Sequence, residues 1–253
     1  MKIFSLLLAL VISGCSAGRN PSGAASVDSP IVRVGLTQQR GEKTVIAGRT
    51  AFIAPPEKPV KGKPWVWYAP TFIGKYPNAA IEPAFQKFLA AGIAIAGMDV
   101  GESFGSVEGT AQFSAFYREM VRRGYSRKPV LIAQSRGGLM LYNWAAENPK
   151  FVTCIVGIYP VIDNRSFPGG ALAEKFAERN PILRMSSLNV PAFHIHGDND
   201  SVVPLEANSG AMQKIYPKLT LKIVLGRGHQ EIDEYFRDPD WVNFILKQVK
   251  QTR

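Results

Sequence analysis

From residue 64 onward, short apolar runs alternate with longer stretches of helical spacing. The runs are PWVWYA, IAIAGMD, PVLIAQ, FVTCIVGIY, VPAFHIHG and LTLKIVLG. They lack the polar alternation of a half-exposed strand, so each predicts a strand covered on both faces. Between them lie AIEPAFQKFLAAG, AQFSAFYREMVRRG, RGGLMLYNWAAENP and LEANSGAMQKIYP, and PDWVNFILKQVKQ closes the chain. Gly92 and Gly124 mark two helix ends. Strand alternating with helix predicts an α/β domain, a mostly parallel sheet with helices on both faces. An antiparallel pair, IVRVGL with TVIAGRTAFIA, is expected to open it. There are no internal repeats.

Ligands in such sheets bind beyond the carboxyl ends of the strands, so polar residues there are the first candidates for chemistry. Three strand ends stand out. PVLIAQ runs into Ser135 and then into Arg136-Gly137-Gly138, a strand-to-helix turn. A serine there can cap the helix or, lifted above the sheet, act as a nucleophile. The helix N-terminus offers unpaired N–H groups, that of Arg136 first, to an oxyanion. VPAFHIHG runs into Asp198 and Asp200, and Asp163 follows the strand before it. LTLKIVLG runs through Arg227-Gly228 to His229. Any of the three aspartates can serve as the acid on this reading.

The order Ser135, Asp200, His229 is the Ser…Asp…His order of the α/β-hydrolase fold, and the flanking residues make the resemblance specific. HGDND…VP (His196 to Pro204) resembles the segment that carries the acid in many members. GRGHQE resembles the histidine loop. GMDVGESFGS (Gly97 to Ser106) is similar to the turn after the fourth strand. The resemblance covers roughly residues 40–250 and is closest to the esterase, dienelactone-hydrolase and prolyl-oligopeptidase-like branch. It implies Ser135 as nucleophile, His229 as base and Asp200, ahead of Asp163, as acid. It departs from the family at Ala133, where the elbow usually has glycine, and at Pro70, where many members have His-Gly. Proline has no N–H, so the second oxyanion donor is expected at Phe72, with Thr71 next. Glu102 and Phe104 are candidate substrate contacts, and a small lid is expected over about 163–189.

The first residues, MKIFSLLLALVISGCSAG, carry Lys2, an apolar run and then small residues, which reads as a secretory signal. Ile12-Ser13-Gly14-Cys15 resembles a bacterial lipobox. Residues 1–14 are therefore expected to be removed, Cys15 to be lipidated, and 15–30 to tether a domain spanning 31–253 to the cell envelope. Ser16 after the cysteine resembles lipoproteins sorted to the outer membrane. Cys154 would then be the one remaining thiol, buried and inert. The formal charge is +10, but the basic residues are scattered, so nucleic acid is not an expected partner. His194 and His196 share one face of a strand, but two imidazoles do not make a zinc site, and no metal or other cofactor is expected. These features predict an envelope-anchored serine hydrolase, most simply a carboxylic-ester hydrolase acting on a small-molecule or glycan ester. A prolyl-oligopeptidase-like peptidase and a non-catalytic lipoprotein that binds glycan or a partner are the alternatives.

Overall fold

The computed structural model describes residues 37–167 and 176–252, all within one unit, Gly35–Arg253. The signal segment, Cys15, the tether and residues 168–175 of the expected lid lie outside the described residues. No described helix is long and apolar enough to cross a membrane.

Eight strands form one sheet: β1 (Glu42–Ile46), β2 (Arg49–Ala54), β3 (Trp65–Ala69), β4 (Ala94–Met98), β5 (Val130–Gln134), β6 (Cys154–Ile158), β7 (Ala192–Gly197) and β8 (Leu219–Val224). Their spatial order is β1-β2-β4-β3-β5-β6-β7-β8. β2 runs antiparallel to β1 and β4, and the pairs from β4 to β8 are parallel. Every residue of β3, β4, β5, β6 and β7 is buried, as runs without polar alternation require.

Along those strands the side chains still alternate between two cores. Trp65, Trp67 and Leu131 face one core, shared with α3 (Val107–Arg122), α4 (Gly137–Glu147) and α5 (Ser209–Ile215). Val66, Tyr68 and Ile132 face the other, shared with α2 (Glu82–Ala90) and α7 (Pro239–Gln251). α2 inserts Phe85 and Phe88, and α7 inserts Trp241 and Ile245. Fully burying an aliphatic or phenylalanine side chain contributes roughly 1.5–3 kcal/mol, so these stripes hold the helices on the sheet. Two short helices, α1 (Thr37–Arg40) and α6 (Asp233–Phe236), flank the sheet elements in sequence.

Three boundaries differ from the sequence reading, each for a local reason. The opening hairpin turns within the second predicted strand: Ala47 (φ 49°) and Gly48 (φ 76°) turn β1 back onto β2, while residues 31–36 lie outside the described residues. α3 starts at Val107, before the predicted 111, because Ser106 caps it, its Oγ accepting the Gly109 N–H at 3.1 Å. α5 begins only at Ser209, because Asn208 serves the neighbouring loop instead. Its Oδ1 accepts the N–H groups of Ile162 and Asp163, and its Nδ2 donates to the carbonyl of Pro204. Where a lid was expected, the described residues form short 3₁₀ turns, Asn164–Ser166, Ala177–Arg179 and Pro181–Ser187.

Candidate active site

Ser135 sits between the last residue of β5 and the first turn of α4, with φ of +50°. A non-glycine residue pays for that left-handed conformation in strain and keeps it only where its surroundings impose it. Here they do. The Ser135 N–H donates to the Ile158 carbonyl at 3.0 Å, and the Ser135 carbonyl accepts from Gly138 (2.9 Å) and Val161 (2.8 Å). The two glycines after it are required by close approach: a methyl group at Gly137 would collide with the Ala69 carbonyl oxygen, and one at Gly138 with that of Val161. Ala133, in contrast, is fully buried in the core beside Trp67 and Leu131. The elbow needs its glycines on the helix side and accommodates alanine on the strand side.

The loops after β7 and β8 bring the other two residues to this turn. Ser135 Oγ lies 3.0 Å from His229 Nε2, and His229 Nδ1 lies 2.8 Å from Asp200 Oδ2. An ionised carboxylate only accepts, so Nδ1 carries the imidazole proton and Nε2 is left to accept from the serine hydroxyl. Burial alone would raise the Asp200 pKa. The facing His196 and His229 and the Val203 N–H outweigh it and hold the carboxyl well below the usual range. Oδ1 accepts the N–H groups of Val202 (3.0 Å) and Val203 (2.8 Å). The competing aspartates are committed elsewhere. Asp163 accepts from Arg165 Nε at 2.8 Å and Asn180 Nδ2 at 2.9 Å, and Asp198 accepts the Gly226 N–H at 2.6 Å.

The loop after β3 corrects the expectation for the second oxyanion donor. The Phe72 N–H donates to the Tyr76 carbonyl at 2.9 Å, and the Tyr76 N–H returns to the Phe72 carbonyl at 2.8 Å. Phe72 therefore spends its donor on its own turn. Among the described residues, neither the Thr71 N–H nor the Arg136 N–H donates to another backbone group, which leaves Thr71 as the candidate for the second donor. The loop is fastened from two sides: Asp99 Oδ2 accepts the Ile73 N–H (3.1 Å), and Gln38 Oε1 accepts that of Gly74 (2.9 Å).

Several solved structures superpose on this fold. Est1E from Butyrivibrio proteoclasticus superposes with a TM-score of 0.68 at 16% identity, over 83% of this chain and 99% of that one. Its complex with ferulic acid gives the same TM-score at 18% identity. The chain has the α/β-hydrolase fold. Pyrococcus horikoshii acylaminoacyl peptidase also superposes, with a TM-score of 0.64 at 12% identity, over 82% of this chain but 41% of that one. Among curated proteins, the proline iminopeptidase of Xylella fastidiosa is 34% identical over 89 residues, which span 34% of this chain and 26% of that relative. No protein-family model matches the chain.

As in other α/β-hydrolase folds, the cleft lies above the carboxyl ends of the strands. It has a volume of about 550 Å³, and its walls include Pro70, Phe72, Glu102, Arg136, Tyr159 and His229. Glu102 lines it while paired with the Arg136 guanidinium. Phe104 is not part of the lining. Its ring packs against Phe167 and Phe176, with centroids 5.5 and 6.4 Å away, so the expectation that it contacts substrate is corrected.

Sequence reasoning missed Tyr159. It follows β6 directly, and its ring lies over the His229 imidazole at 4.3 Å between centroids. Gln134 Nε2 donates to its hydroxyl at 3.2 Å, and Tyr68 Oη donates to Gln134 Oε1 at 2.5 Å. The signal was its place at a strand end, disguised by an aromatic side chain that also suits a core.

His194 and His196 are both fully buried. Each already has partners at both ring nitrogens, and no group of three or more metal-ligating side chains occurs among the described residues. Burial, then the neighbouring His196, push His194 down to about 3. The folded state therefore binds fewer protons than the unfolded state between that value and about 6.5. Stability held at neutral pH is lost as pH falls through this window, by up to about 1.4 kcal/mol per pH unit from this one residue. Urea unfolding at successive pH values should show the loss, reduced in a folded His194→Gln variant. Burial pushes the Cys154 thiol well up, which leaves it protonated and unreactive.

Proposed function

We propose that this protein is a serine-dependent carboxylic-ester hydrolase, held at a bacterial cell envelope by a lipid on Cys15. The observation that carries the catalytic reading is the continuous hydrogen-bonded line Ser135–His229–Asp200 on a strained strand-to-helix turn. On attack, the Ser135 hydroxyl adds to the ester carbonyl as its proton passes to His229 Nε2. The carbonyl oxygen becomes an oxyanion held by the N–H groups of Arg136 and Thr71. His229 returns the proton to the departing alcohol, leaving an acyl-serine. Water then attacks the acyl carbon as its proton passes to the same imidazole; the bond to Ser135 Oγ breaks, the acid departs and His229 returns the proton to Oγ. Asp200 keeps the imidazole in the accepting tautomer and stabilises its charged form.

Ester substrates are supported by the likeness to Est1E, which superposes with a TM-score of 0.68 and has been solved with ferulic acid bound. The ferulic acid held by Est1E makes feruloyl esters a natural member of a test panel, beside short aryl esters, acetylated sugars and methyl-esterified uronates. At least one ester is expected to be cleaved with a kcat/KM about 100-fold or more above that for matched aminoacyl anilides. Faster cleavage of the anilides would favour the peptidase reading. For the anchor, cells expressing the full chain should incorporate labelled fatty acid into the protein, and the Cys15→Ser variant should not.

A further inference from the structure

Behind Asp200 lies a line of buried polar groups that the catalytic steps do not use. Tyr142 Oη is 2.6 Å from His194 Nε2. His194 Nδ1 is 2.9 Å from Ser209 Oγ, and Ser209 Oγ is 2.8 Å from His196 Nδ1. His196 Nε2 is 2.8 Å from the Val203 carbonyl and 3.6 Å from Asp200 Oδ2. All four side chains belong to fully buried residues.

The protons in this line can be placed by elimination. The Val203 carbonyl only accepts, so His196 Nε2 must carry hydrogen. A neutral His196 then accepts at Nδ1, and Ser209 is the donor it has there. Ser209 has one hydroxyl hydrogen, so His194 must donate to it from Nδ1. That leaves His194 Nε2 to accept from Tyr142. Every donor meets an acceptor with both imidazoles neutral, so the chain runs one way, Tyr142→His194→Ser209→His196→Val203. Reversing any link leaves two donors or two acceptors facing each other in a buried site.

The last link bears on the acid. Val203 is held at both of its polar groups: its N–H donates to Asp200 Oδ1 and its carbonyl accepts from His196. The first link bears on the nucleophile, because Tyr142 stands two turns along the helix that Ser135 opens. Room for the line is built in, since a methyl group at Gly157 on the adjacent strand would come within 2.6 Å of the His194 ring.

We propose that His196 is the positioning residue for Asp200, and that the chain from Tyr142 through His194 and Ser209 fixes its donating tautomer and so references the acid loop to the nucleophile helix. The inference rests on the triad reading above, but its first test needs no substrate. Nitrogen-15 NMR of the whole protein should find His194 protonated at Nδ1 and His196 at Nε2. The opposite tautomer at either ring overturns the proposal, and this reading requires no variant.

In the kinetic test, His196→Leu should lower kcat about 10- to 100-fold with KM changed by less than about twofold, and should weaken the downfield signal of the His229 Nδ1 proton. His196→Gln, whose amide can donate from the same position, should recover most of both. Ser209→Ala, a milder change that cuts the line at its centre, should move both readouts the same way and replaces His196→Leu if that variant does not fold. A folded variant without the donor that keeps wild-type kcat and an unchanged His229 signal would overturn the proposal. Absence of ester hydrolysis in the wild-type protein would instead count against the proposed activity, with the tautomer pattern still deciding this inference.

Discussion

Replacing Ser135 with alanine should lower kcat for ester hydrolysis by roughly 10⁴- to 10⁶-fold and abolish labelling by a fluorophosphonate probe. The size follows from what alanine removes. Without Oγ there is no acyl-enzyme, and His229 Nε2 has no hydroxyl to deprotonate. The fold should be left intact. Alanine and serine meet the same steric objection to φ of +50°, and the hydrogen bonds that hold the turn are made by the Ser135 backbone. A melting temperature close to that of the wild-type protein should therefore accompany the loss. Residual activity above the uncatalysed rate is expected, because donors at Arg136 and Thr71 would still face the oxyanion. Equal labelling of wild-type and variant protein would rule Ser135 out as the nucleophile.

The second large effect is expected at Asp200. Asparagine there can turn its amide toward His229 Nδ1 and donate to it, which favours the tautomer with hydrogen on Nε2. That hydrogen points at the serine, and the base can no longer accept. A loss of about 10⁴-fold in kcat is expected on this ground. Asp163→Asn provides the contrast. Its carboxylate pairs with Arg165 and accepts from Asn180, so its loss should cost about 1–2 kcal/mol of stability, most of it in hydrogen bonds because Arg165 is exposed. Its kcat should stay within about threefold of wild type. Measuring both variants separates the two candidate acids, and a larger catalytic loss at Asp163 would reverse the assignment.

How far the site could be read from the sequence varied with the kind of residue. Ser135 and His229 were legible because each sits where a strand gives way to small residues, and glycine at such a corner reports a backbone constraint. Asp200 was legible only through its surrounding motif, since aspartates in polar turns have many uses. Phe72 was misassigned because a peptide N–H leaves no trace in the side-chain pattern, and the Phe72–Tyr76 turn that claims it depends on loop geometry. Phe104 was misassigned for a related reason: a phenylalanine suits an active-site wall and an aromatic cluster equally well. Tyr159 went unnoticed because its neighbour is His229, seventy residues later, and a contact so distant has no periodicity to betray it.

By itself, the sequence determined the class of fold. Unbroken apolar runs separated by amphipathic stretches can be buried only as central strands between helical layers, and this is a local property of pattern and spacing. It also determined where chemistry could sit, because parallel strands end on the same side. Only the tertiary structure decided which polar groups meet. Hydrogen bonds saturate, so a donor claimed by one partner is lost to another. That is why Asp163 goes to Arg165, the Phe72 N–H to Tyr76, and Asp200 to His229, with His196 behind it.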